Sequence, residues 1–164
     1  MRNVLALDLG TNAGFAFGYN RESLIAKGYE MGTKNEIAHW GKSRLSRRCD
    51  PRVVRFFDIL EKFTPGIVVF EDVQFASSTY QVQLWASFRG AIWCRFGSNP
   101  NIVIECVPTG TLKKFATGHG NATKEMMENS LFRQHPEWKS AKLTDDAIDA
   151  LWLWYWAEQH LNNL

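Results

Sequence analysis

Long apolar runs are missing from this 164-residue chain, and no stretch would span a bilayer as a helix. The first strand-like run begins almost at Met1, which leaves no space there for a secretory leader. Cysteine is scarce: Cys49, Cys94 and Cys106 are odd in number and lack metal-type spacing. A disulfide framework and a zinc cluster are therefore not expected, and a reduced, intracellular setting is. Net charge is small, +2 from 19 basic and 17 acidic residues, so the balance alone does not announce a partner for polyanions. Internal repeats, low-complexity tracts and linkers are absent as well. With 45% hydrophobic residues, one domain over residues 1–164 with a sizeable core is expected.

What is present is a pattern of charge. Lys42, Arg44, Arg47, Arg48, Arg52 and Arg55 fall close together with Asp50 the only acid among them. They read either as a solvated helix face or as a positive patch for a polyanion. Lys113, Lys114 and Lys124 surround the segment "TGHGNATK". The acids of interest lie instead inside apolar runs: Asp8, Glu71–Asp72, and Asp145, Asp146 and Asp149.

The layout is that of a mixed α/β sheet. Three strands are expected near 3–9, 14–20 and 24–31, with Gly10–Gly14 as a tight turn. A helix over 51–63 has Asp50 to cap it, Pro51 in its first turn and Pro65–Gly66 to end it. "IVVFEDV" (67–73) and "NIVIECV" (101–107) read as buried strands. Between them, 79–96 reads as a helix with Leu84, Trp85, Phe88, Ile92 and Phe96 on one stripe, a core stripe rather than a stacking platform. Helices near 109–116, 123–134 and 145–161 complete five strands with helices on both faces.

An acid inside a buried strand is costly unless a positive charge sits beside it. Asp8 and Glu71 occupy similar strand-interior settings and could lie side by side. Asp146 and Asp149 are three residues apart, hence on one helix face. Asp145 and Asp146 also suit a helix N-terminus after a Thr144 cap, for dipole reasons alone, but Asp149 in the second turn does not. Clustered carboxylates repel without a cation. An all-oxygen set without His or Cys points to Mg²⁺ or Mn²⁺, and two such ions suit in-line displacement at a phosphodiester.

These residues resemble the motifs of the RuvC-type Holliday-junction resolvases, phage-encoded relatives in particular, within the RNase H-like nuclease superfamily. "LALDLGTNAGFA" is similar to the opening strand with its catalytic Asp, "VVFEDV" to the second acidic strand, and "DDAIDAL" to the closing helix. "VPTGTLKKFATGHGNATKEMM" and "FRGAI" resemble the segments between, and the likeness runs in order over nearly the whole chain. It implies an RNase H-like fold and two metal ions held by Asp8, Glu71, Asp146 and Asp149. Lys113 and Lys124 would contact phosphate near the scissile bond; the charge pattern adds Lys114, Arg44, Arg47 and Arg48 as expected DNA contacts. It also implies a homodimer cutting a four-way junction at two symmetric phosphodiesters, in the cytoplasm of a bacterial cell or phage-infected host. Relatives place an aromatic just after the acidic strand to open the junction. Here Gln74 stands nearest that place and Phe75 follows it. The helix at 51–63, with Phe56–Phe57, is the expected dimer contact, alongside a core role for those rings.

Three rival readings stand beside this one. A nuclease of the same superfamily could act on flap or otherwise branched DNA, or on RNA–DNA hybrids. A phosphotransferase of the actin and sugar-kinase type shares D-x-G-T, but leaves Asp149 without a task. A DNA-binding module without chemistry would not need the full acid set.

Overall fold

The computed structural model describes residues 2–36, 50–72 and 78–161. Five strands form one sheet: β1 (Val4–Asp8), β2 (Asn12–Gly18), β3 (Ile25–Glu30), β4 (Ile67–Asp72) and β5 (Val103–Pro108). Their order is β3-β2-β1-β4-β5. The first three strands form an antiparallel meander, and β4 and β5 join β1 in parallel. The helices are α1 (Pro51–Leu60), α2 (Thr79–Phe96), α3 (Thr109–Thr117), α4 (Lys124–Gln134) and α5 (Asp145–Leu161).

Strand alternation divides the core into two layers. Leu5 and Leu7 of β1, Phe15 of β2, and Val68 and Phe70 of β4 join Phe56, Phe88 and Ile92 beneath α1 and α2. Val4, Ala6, Ala16, Ile67 and Val69 face the other way, against α3, α4 and α5. The stripe expected on α2 is a core stripe: Leu84, Phe88, Ile92 and Phe96 are buried and Trp85 is partly so.

Local signals set most element ends. Asp50 accepts the Arg52 backbone N–H at 2.9 Å and Pro51 opens α1. α1 nevertheless stops at Leu60, short of Pro65–Gly66, because Lys62 and Phe63 close onto Ile59 and Leu60 in a tighter turn. Two members of the basic run serve the fold. Arg52 is buried on Asp50 and Tyr80, and Arg55 binds Glu36 and the Met31 carbonyl. Arg44, Arg47, Arg48 and Phe75 lie outside the described residues.

Of the turn expected over Gly10–Gly14, only Gly10 and Thr11 form the bend; Asn12, Ala13 and Gly14 belong to a strand. β2 starts at Asn12, and Asp8 pairs with Gly14, which in turn pairs with Gly28 of β3. This row crosses the sheet on the α5 side. A Cβ on Gly14 would come within 1.7 Å of the Asp146 carbonyl oxygen, and one on Gly28 within 2.3 Å of Thr144 Oγ1. The space beside Gly14 and Gly28 is filled by the first turn of α5. Further along, Ala6, Ala16 and Ala26 leave room for the Trp-rich part of that helix. Trp152 and Trp154 are buried, donating their indole N–H groups to the Met127 and Gly18 carbonyls at 3.1 and 3.3 Å.

The Gly14 contact is backbone against backbone, so neither partner can turn aside. Gly14→Ala is expected to destabilise the protein by about 1–3 kcal/mol through overpacking. For a chain of this size that corresponds to roughly 2–4 °C in melting temperature per kcal/mol. An unchanged thermal midpoint would show that α5 does not depend on this close approach.

Candidate active site

Parity and register bring the acids to one end of the sheet. Asp8 follows the alternation of Val4 and Ala6, so its side chain belongs to the α5 face; Glu71 follows Ile67 and Val69 in the same way. β1 and β4 are paired through Leu7 and Phe70, and one step on Asp8 comes level with Glu71. Asp72 points to the opposite face, where its carboxylate pairs with Arg89 of α2 at 3.1 Å. Adjacent acids in one strand thus have different surroundings. Glu71 belongs with Asp8.

The other two acids come from the first turns of α5. The Thr144 hydroxyl accepts the Ala147 N–H at 3.3 Å, and its carbonyl accepts the Ile148 N–H at 3.0 Å. With this cap seated over Gly28, and Asp146 over Gly14, the helix starts directly against the strand that pairs with Asp8. Asp146 and Asp149 are half-buried there, whereas Asp145 is exposed.

The electrostatics record this crowding. Burial, and then the charges of Asp149, Glu71 and Asp146, push the Asp8 carboxyl well above the usual carboxylate range. Burial and then Glu71 push Asp149 up to about 7, and burial raises Asp146. Lys124 opposes the rise at all three. Its ammonium lies 3.1 Å from Asp145 Oδ2. Lys113, on α3, is half-buried and Lys114 is exposed, and neither makes an ion pair among the described residues. Of the expected lysines, only Lys124 is tied to the acids.

Among the described residues, no group of three or more His, Cys, Asp or Glu side chains is set to hold a metal ion as it stands. What favours a cation is chemistry and charge: four oxygen-donor carboxylates press on one another, opposed by one exposed ammonium. Beside them an open cleft of about 570 Å³ is lined by Asn12, Gly28, Tyr29, Glu30, Lys124, Thr144, Asp145 and Asp146. Sequence reasoning missed this cleft and the glycine row. The signal was present in the period-two spacing of Gly14, Ala16 and Gly18, all small on one strand face.

The sheet order and the helices on both faces define an RNase H-like α/β fold. Solved structures of this fold that resemble the chain include RuvC-type Holliday-junction resolvases. RuvC of T. thermophilus in complex with Holliday junction substrate superposes with TM-score 0.64 at 18% identity, over 93% of this chain and 90% of that one. The yeast mitochondrial Holliday junction resolvase Ydc2 gives 0.60 at 15% identity, over 98% and 81%. The fowlpox virus resolvase, solved with Holliday junction DNA, gives 0.57 at 16% identity, over 98% and 99%. At these identities the shared property is the fold. No protein-family model matches the sequence, and no curated protein does.

Raised carboxyl groups link stability to pH. A folded-state pKa of about 7 against an ordinary value of 3.8 means that the native state binds the Asp149 proton more tightly than the unfolded chain does. The metal-free protein should therefore lose stability as pH rises from about 4 to 7, each pKa unit being worth about 1.4 kcal/mol. Asp149→Asn should raise the melting temperature at pH 8 and flatten its pH dependence. A variant less stable than the parent at pH 8 in EDTA would contradict this electrostatic account.

Proposed function

We propose that this chain is a metal-dependent, structure-selective endonuclease that resolves four-way DNA junctions. The observation that carries the reading is the meeting of Asp8, Glu71, Asp146 and Asp149 at one end of an RNase H-like sheet, with Lys124 beside them. Two of the structures sharing its fold are complexes with Holliday junction DNA, which supports a branched substrate.

In this reading the four carboxylates hold Mg²⁺ or Mn²⁺, two ions per site. Metal held by Asp8, Glu71, Asp146 and Asp149 would supply an activated water and stabilisation of the leaving oxygen. The chain's own residues do the rest. The rigid seat of α5 on Gly14 and Gly28 fixes Asp146 and Asp149 relative to Asp8 and Glu71. Lys124, at the cleft, offers its ammonium to a phosphate oxygen near the cut, and Lys113 and Lys114 on α3 extend the positive side. Negative charge on the acids repels the DNA backbone, so binding falls to the lysines and arginines and cleavage to the carboxylates. Asp8→Asn and Glu71→Gln should each abolish Mg²⁺-dependent cleavage while junction binding stays equal or becomes tighter. The assay compares a mobile four-way junction with duplex, flap and RNA–DNA hybrid, in Mg²⁺ and in EDTA. Cleavage by purified Asp8→Asn protein would remove the metal site from the reading. Equal cutting of flaps or hybrids would move the substrate to another branch of the superfamily.

Two symmetric cuts call for two sites, hence for a homodimer. The interface expected on α1 does not suit its rings, since Phe56 is fully buried and Phe57 packs against the same core. The outer face of α2 suits it better. Val82 and Trp93 are about half exposed there, and a Cβ on Gly90 between them would meet nothing within 4 Å. A mid-helix glycine weakens a helix by about 0.5–1 kcal/mol. Nothing within the described chain requires one, whereas a second copy crossing at Gly90 would. Sedimentation is expected to give a dimer at micromolar concentration, and Gly90→Leu a folded monomer with unchanged circular dichroism. A dimeric Gly90→Leu protein would place the contact elsewhere.

A further inference from the structure

Lys124 opens α4 and Asp145 opens α5, and the two meet across the rim of the cleft at 3.1 Å. The pair is strongly exposed, 70% at the lysine and 60% at the aspartate, so it adds little to stability. Nor is Asp145 needed as a cap, because Thr144 already serves α5. The contact matters for where it leaves the ammonium. Lys124 lies close enough to act on Asp8, Asp146 and Asp149, and its long, flexible stem allows more than one resting place. Moved inward, it would become the counter-charge of the inner carboxylates and compete there with any divalent ion. Held outward on Asp145, it leaves those carboxylates open and faces the cleft.

Resting on the metal-site reading above, we propose that Asp145 is a positioning residue: it tethers Lys124 at the rim and so keeps the ammonium off the inner carboxylates. Asp145 would then serve metal binding without being a ligand. Its effect runs through Lys124, which separates it from a simple contribution of negative charge.

The test is Mn²⁺ binding by calorimetry, in the absence of DNA, to the parent protein and to Asp8→Asn, Asp145→Asn, Lys124→Met and the Asp145→Asn/Lys124→Met double variant. Asp145→Asn should bind Mn²⁺ roughly two- to fivefold more weakly, the scale an exposed ion pair can supply. Lys124→Met should bind at least as tightly as the parent. The double variant should bind like Lys124→Met, because without the ammonium nothing is left to tether. Cleavage by Asp145→Asn should recover as Mg²⁺ is raised. Parent-like Mn²⁺ affinity in Asp145→Asn overturns the proposal, and so does a double variant as weak as Asp145→Asn. The Asp8→Asn arm keeps the two readings apart. Lost binding there upholds the metal site whatever Asp145 does, while parent-like binding removes the metal site and this inference with it.

Discussion

The seating of one helix turn on two glycines governs the rest of this molecule. α5 approaches β2 so closely that the Asp146 carbonyl occupies the space of a Gly14 side chain, and Thr144 does the same over Gly28. Because Gly14 pairs with Asp8, the approach also fixes the distance between the strand acid and the helix acids. The same small-residue face admits Trp152 and Trp154. Core packing and site geometry therefore share one contact. Moving the helix outward would open the aromatic core and separate the carboxylates together.

The charge pattern follows from that contact. Glu71 and Asp72 are consecutive, yet strand alternation sends them to opposite faces, where their fates differ. Asp72 meets a guanidinium from α2. Glu71 meets Asp8 and Asp149, and its charge adds to burial in raising both of their carboxyls. Buried charges in a fold are ordinarily paired or hydrogen-bonded. A face that gathers four acids beside a face that supplies an arginine to the next residue is not short of basic residues; it withholds them. Perturbed carboxyls gathered in this way mark a candidate functional site.

Much of this was legible from residues alone, where one interaction dominates locally. The Asp50–Pro51 start of α1, the Thr144 cap of α5 and the buried β-branched run of β4 depend on near neighbours, and the elements fell within a few residues of expectation. The acids of the site could be named because an apolar strand makes a lone carboxylate conspicuous. What could not be read was set by partners distant in sequence. The turn expected over Gly10–Gly14 is confined to Gly10 and Thr11, because Gly14 is a strand residue that answers to Asp146, more than a hundred residues later. Arg52 and Arg55 looked like part of a patch until Tyr80 and Glu36 claimed them. The Trp-rich end of α5 made sense only once the sheet face under it proved to be built of alanine and glycine.

The distribution of positive charge around the acids completes the picture. A guanidinium placed among Asp8, Glu71 and Asp149 would stabilise the fold, since it would remove their repulsion and satisfy their oxygens. It would also fill the site permanently, because arginine does not give up its proton and holds carboxylates in a fixed fork. Here the cation at the rim is instead a lysine, exposed and paired outward with Asp145. A point charge on a flexible stem lowers the repulsion from a distance without occupying its centre. Stability is thereby given up at the carboxylates and recovered in the aromatic layers on either side of the sheet, where Phe56, Phe88, Trp152 and Trp154 are buried. The fold tolerates this crowding of carboxylates because its core lies elsewhere, and among the described residues it is Lys124 that opposes the crowding, from the rim.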